Sequence, residues 1–163
     1  MPNAIFFQRI AYYLYSHKIP LLPSLITLFI FLIYNSKISH KTPIGKGTFC
    51  VYGGIGVLIN GKAIIGEACS IGAGVKIVGK SPYKNAPKIG NKVFIGPGAV
   101  ISGPVIIEDN VIIAPNAVVT KSVPKDAIVG GIPAKILGDV TTLDYDIMKN
   151  ESFKEGYIDF LIK

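Results

Sequence analysis

From Ile59 onward every sixth residue anchors a repeat: Ile59, Ile65, Ile71, Ile77, Tyr83, Ile89, Ile95, Ile101, Ile107, Ile113 and Val119. Ten of these eleven are β-branched aliphatics, and the exception, Tyr83, falls in a loop-like stretch. Small or polar residues follow most anchors, among them Gly66, Gly72, Gly90 and Gly96. Four places after each anchor stands a second small or β-branched residue, such as Ala63, Cys69, Val75 or Val93. Neither the 3.6-residue period of a helix nor the alternation of an ordinary strand repeats in this way. A triangular coil does. Each unit is then a short strand and a turn, three units close one coil, and every anchor points inward onto its counterpart in the next coil. Such a stack buries its faces only against its neighbours, so several coils are needed for stability. Ile38 and Ile44 keep the spacing but lie three residues out of phase with Ile59, which implies an insertion between Cys50 and Gly56. From Ile38 to Val123 there is chain for nearly five coils. A β-sandwich would instead need turns at irregular intervals of roughly 8–12 residues.

Charge and cysteines exclude several function classes. The chain carries 17 Lys and Arg against 10 Asp and Glu, a net charge of +7. The cations are scattered over turn positions without interleaved aromatics, so they form no nucleic-acid-binding stripe. Phosphate groups of a cofactor, or an anionic membrane surface, fit this balance better. Cys50 and Cys69 lack metal-ligand spacing, no metal site is expected, and two buried thiols in a reducing cytoplasm are the reading adopted. The N-terminus has neither the basic lead nor the cleavage site of a signal peptide.

Residues 1–36 form an apolar, helical N-terminal segment, residues 37–138 the coil, and residues 139–163 a C-terminal tail. The N-terminal segment is placed to cap one exposed end of the stack. Between Ile19 and Tyr34 the chain has no charge, and its sixteen residues fall short of the ~20 needed to cross a bilayer. Burial on the coil or a sister subunit, an interfacial helix, and a true span compete here. The absence of a polar face from Leu25 to Tyr34 favours burial against protein. In the tail, Asp144-Tyr145-Asp146-Ile147-Met148 through Phe153-Lys154-Glu155 is expected to form a short helix or to fold over a neighbour.

Ile-Gly-Glu-Ala-Cys-Ser (65–70), Ile-Gly-Ala-Gly-Val-Lys (71–76) and Ile-Gly-Pro-Gly-Ala-Val (95–100) resemble consecutive repeats of the hexapeptide acyltransferases. Ile-Val-Gly-Gly-Ile-Pro-Ala-Lys-Ile-Leu-Gly (128–138) is similar to that family's closing motif. The likeness is strongest to serine acetyltransferases and their relatives in capsule and O-antigen gene sets. It implies a left-handed parallel β-helix and acetyl-CoA as co-substrate. It also implies a homotrimer whose sites lie between subunits. The pantetheine arm would run along turns carrying Pro97 and Pro115, each of which keeps its carbonyl but lacks an N–H. Thr120, Lys121 and Lys135 match residues that meet the phosphate-bearing end of CoA, and Gly79 and Lys80 open a loop, 79–87, bordering the acyl site.

The catalytic positions depart from the family. Transfer to a hydroxyl wants a general base, usually histidine. The resemblance places histidines where this chain has Tyr52, Asn60 and Ala86. The two histidines present are His17 in the lead segment and His40 at the start of the coil, where a structural role is expected. Tyr52 and Asn60 are therefore the candidate catalytic residues. Loss of the histidine at Ala86, with no visible carboxylate-binding replacement, argues for a sugar hydroxyl in surface polysaccharide assembly as acceptor. The alternatives are serine O-acetylation in cysteine biosynthesis and a degenerate, CoA-binding or structural relative. A cytoplasmic protein is expected, with peripheral contact to the inner membrane face left open.

Overall fold

Each six-residue unit supplies a strand of two or three residues and a tight turn, and the units wind into three parallel faces. The computed structural model describes residues 3–149. The first face stacks Lys37–Ile38, Leu58–Ile59, Lys76–Val78, Val100–Ser102 and Val118–Val119 in that order. The second stacks Ile64–Ile65, Lys88–Ile89 and Ile106–Ile107, extended by bridges from Ile44 to Ile65 and from Ile107 to Val123. The third stacks Phe49–Cys50, Ser70–Ile71, Phe94–Ile95, Ile112–Ile113 and Ala127–Gly131, closed by the antiparallel strand Ala134–Asp139. The result is a left-handed parallel β-helix. The anchors Ile59, Ile71, Ile77, Ile95, Ile101, Ile107 and Ile113 are buried, as is the second row from Ala63 to Ala117. Branched side chains stacked in register explain how strands this short hold together.

The period breaks in three places. Between Cys50 and Gly56 the expected insertion is a 3₁₀ turn, Val51–Gly54, with Tyr52, Gly53 and Gly54 all at positive φ. Across it the register is Ile38 on Ile59 and Cys50 on Ile71. Tyr83 is not an anchor: the loop after Val78 inserts one whole unit, so Ile65 pairs Ile89 and the phase resumes. After Val119 two residues are missing, and Val123, read from sequence as a second-row residue, takes the anchor position under Ile107.

Helix α1 (Ala4–Ser16) closes the N-terminal end of the stack. Its Ala4 and Ile5 enter the core. Asn3 caps the helix and donates to the Cys50 carbonyl, Gln8 donates to the Ser39 and Thr42 carbonyls, and Arg9 to those of Gly45 and Thr48. One helix thus satisfies carbonyls at all three corners of the first coil. Helix α2 (Leu22–Tyr34) packs on α1, with Phe7 and Phe29 edge to face at 5.0 Å, and on the first strand. It buries only Pro23, Ile30 and Tyr34. The expected burial against protein holds for one edge of α2 only, because α1 already occupies the coil end, and its other large apolar side chains are exposed. Among the described residues no helix is long and apolar enough to cross a membrane.

At the other end, Val140–Thr142 forms a 3₁₀ turn capped by Asp139. Residues 144–149 form turns rather than a helix. Tyr145, Ile147 and Met148 lie against Gly47, Ala68 and Asn110 of the same chain around a cavity of about 570 Å³. Phe153, Lys154 and Glu155 lie outside the described residues.

Candidate active site

The corners of the coil, not its faces, present chemistry, because every face points its anchors inward. The corner between the first and second faces carries Asn60 and the loop 79–87 on adjacent coils, and Thr120 with Lys121 two coils beyond the loop. The corner between the third face and the next first face carries Tyr52, Pro97 and Pro115, with Lys135 opposite Gly130 on the closing hairpin. The first face separates the two sets by on the order of 15 Å, five residues of extended chain. One chain thus brings Asn60 together with Gly79 and Lys80, and Pro97 with Pro115. It does not bring Tyr52 to Asn60, nor Lys135 to Thr120 and Lys121.

At the first of these corners a cavity of about 310 Å³ is lined by Asn60, Lys62, Gly79 and residues 80–86. Asn60 is fixed from three sides. Its carbonyl accepts from the buried Thr42 hydroxyl at 2.9 Å and from Ala63 N–H, and its Oδ1 accepts from Lys62 N–H at 2.9 Å. That leaves Nδ2 toward the loop, 3.7 Å from where a side chain on Gly79 would begin. An amide so held can donate a hydrogen bond but offers no basic nitrogen. Lys62 reaches across to the loop, its Nζ donating to the Lys84 carbonyl at 3.1 Å. With Lys62, Lys80 and Lys84 around it and no acid among its lining residues, the cavity is built for an anion. Sequence reading missed Lys62 and Lys84. The signal was available only as a position two after Asn60, since the loop contact spans 22 residues. Ala86 is buried, so this position aims no functional group into the cavity.

At the other corner Tyr52 is 73% exposed on the 3₁₀ turn, with backbone at φ 54° and ψ 36°. Pro97 and Pro115 are exposed and stack over glycines: a Cβ on Gly72 or Gly96 would stand 2.5 Å from the nitrogen of Pro97 or Pro115. Backbone hydrogen bonds climb this corner from Gly74 N–H to Ile55 O, Gly98 to Ala73, and Asn116 to Pro97. The Pro97 carbonyl is thus spent inside the coil.

Neither histidine lines the cavity at Asn60, although His40 sits on the same corner one coil nearer the helices, since Ile38 pairs with Ile59. His17 closes α1, with its Nδ1 2.8 Å from the Tyr13 carbonyl. His40 lies between the helices and the first coil, with its Nδ1 3.1 Å from the Thr27 hydroxyl and its ring 5.3 Å from that of Tyr15. Burial, and secondarily the neighbouring Lys41, pushes its pKa below the ordinary histidine value. No cluster of metal-ligating side chains exists among the described residues.

Residues 86–121 match the family described as bacterial transferase hexapeptide (six repeats). The chain is 35% identical over 137 residues to a serine acetyltransferase of Synechococcus elongatus, covering 83% of this chain and 56% of that protein. Against a Mycobacterium tuberculosis serine acetyltransferase it is 32% identical over 138 residues, covering 83% and 60%. A Brucella abortus serine acetyltransferase in complex with coenzyme A superposes with a TM-score of 0.79 at 30% identity, over 83% of this chain and 55% of that one. A soybean serine acetyltransferase complexed with serine gives 0.77 at 29%, over 82% and 56%. The chain therefore spans little more than half the length of the curated relatives it matches. These likenesses overturn the expectation of a sugar acceptor in polysaccharide assembly, since the relatives found over the coil are serine acetyltransferases. Cations also stand beside the Ala86 position, supplied by residues that sequence spacing did not connect.

Proposed function

Since the chain belongs to the hexapeptide-repeat transferase family, with a coil similar to that of serine acetyltransferases, we propose that it transfers the acetyl group of acetyl-CoA to the hydroxyl of L-serine. The likeness over 137 residues carries this reading, and the lysine-lined cavity supports it. In this reading residues 37–138 hold the chemistry, residues 1–36 close the N-terminal end, and residues 139–163 follow the coil. The two corners are complementary halves. The chain assembles as a homotrimer, and the Tyr52, Pro97, Pro115 and Lys135 side of one subunit faces the Asn60 and loop side of the next.

The serine carboxylate lies against Lys62 and Lys84, and Asn60 Nδ2 donates to the acceptor and orients it. The serine hydroxyl oxygen attacks the thioester carbonyl, its proton leaves to a base, and CoA departs as the thiol. Tyr52, from the facing subunit, is the side chain at that corner able to take or relay the proton. Holding both substrates in line supplies a large share of the rate on its own. Lys121 and Lys135 meet the CoA phosphates as point charges, and the Thr120 hydroxyl donates a hydrogen bond to them.

A second reading, binding of CoA without transfer, is favoured by one observation: Tyr52, Asn60 and Ala86 stand where the resemblance puts histidines. Loss of a general base costs about 10²–10⁴-fold in rate. Calorimetric titration with acetyl-CoA, paired with an assay of thiol release on adding L-serine, separates the two. Micromolar binding with serine-dependent thiol release is the expected result. Binding without release would establish the second reading, and no binding would remove both.

A further inference from the structure

We propose that the helical end of the molecule docks on an anionic lipid surface through the outward face of α2. The buried residues of α2, Pro23, Ile30 and Tyr34, fall on one side of the helix at 100° per residue. Opposite them lie Leu25, Leu28, Leu32 and Ile33, continued by Leu21, all large apolar side chains between 51 and 77% exposed, with Phe29 at the margin against Phe7. Ser24 is the one polar residue on that arc. Contiguous apolar surface of this extent marks a binding site rather than free surface. A free interfacial helix needs a polar face of its own. This one does not, because its opposite face is already seated on α1 and the first strand of the coil.

Charge selects the occupant. Residues 1–66 hold six of the 17 Lys and Arg and none of the ten Asp and Glu; the first acid is Glu67. Nearly the whole net charge therefore sits at the helical end. Lys18 stands in the turn before α2, Lys37 directly after it, and Lys41 over the Tyr15 ring at 6.0 Å. Such a flanked apolar patch suits anionic headgroups, each nearby lysine strengthening attachment. A second copy meeting this end face to face would set like charge against like. With no helix among the described residues able to span, the contact is one of lying on the surface.

The test is flotation of the full chain with phosphatidylglycerol-rich vesicles and with pure phosphatidylcholine vesicles. Flotation with the anionic vesicles is expected, falling at least tenfold in Leu25→Glu/Leu32→Glu and about fivefold for each of Lys18→Gln and Lys37→Gln. Protection of the two buried cysteines from a thiol reagent serves as the check that each variant is folded. Wild-type chain that stays at the bottom of the gradient would overturn the proposal. So would a folded Leu25→Glu/Leu32→Glu chain that still floats. A drop in oligomeric mass on that double substitution, without vesicle binding by the wild type, would assign the face to a second copy instead.

Discussion

Lys62 shows how a candidate site residue can be invisible in a sequence and plain in a fold. It follows Asn60 by two positions in a turn, and only the coil brings it under a loop that begins 17 residues later. If its ammonium binds the acceptor carboxylate, Lys62→Met should raise the KM for serine roughly tenfold or more, the scale of a hydrogen bond between charged groups, and leave affinity for acetyl-CoA unchanged. Equal losses for both substrates would remove it from the acceptor site. His40 carries a different expectation. Its folded pKa lies below the unfolded value, so protonation costs the folded state more than the unfolded one. Stability should then be full above about pH 6.5 and fall as pH drops toward the lowered folded pKa. Tyr15, Thr27 and Lys41 face it and Lys18 lines the same cavity, so no carboxylate offsets the cost. Denaturant melts across that window on His40→Gln should lose this slope. At Cys50, burial pushes the thiol up to about 12. That fits the inert, packed role read from sequence.

At the level of elements, the six-residue period was legible because burial and repeat coincide: an inward side chain at each corner-to-corner step must be branched and must recur. The breaks were less legible. The insertion before Gly56 appears as a phase shift, but the loop after Val78 inserts a whole unit and so preserves the phase, leaving Tyr83 where an anchor belongs. A further regularity escaped notice because it is polar. Ser36, Thr42 and Thr48, six apart, fill the second inward row of the first coil with buried hydroxyls. They donate to the carbonyls of Gly54, Asn60 and Gly66, each 18 residues on. Here the three-residue insertion displaces the strands, and hydroxyls tie carbonyls that a methyl could not. Thr42→Val should cost about 1–2 kcal/mol in a denaturant melt by leaving that bond unmade. It should also loosen Asn60, lowering activity beyond what the stability loss explains; unchanged activity would show that Asn60 needs no such support.

The whole molecule raises the question of which surfaces are finished. A single chain leaves its two candidate half-sites on opposite sides of the first face, and nothing within it can carry Lys135 to Lys62. Sequence reading named residues from both halves without placing them, because spacing along a coil reveals which level a residue occupies but not which copy it serves. Shared sites make a quantitative demand on mixed assemblies. Take Lys62→Met, which damages the loop side, and Lys135→Glu, which damages the hairpin side, each lowering activity at least tenfold as a pure protein. If each site draws one side from each of two neighbours, chains refolded together in equal amounts should place both intact sides at about one site in four, from random assortment in a closed ring. Activity should then recover to about a quarter of the wild-type value, well above either parent. If both sides of a site came from one chain, every site in the mixture would carry one lesion, and activity would stay at the mean of the two variants. Refolding with an excess of either variant should reduce the recovery, and the dependence on mixing ratio should peak at equal amounts.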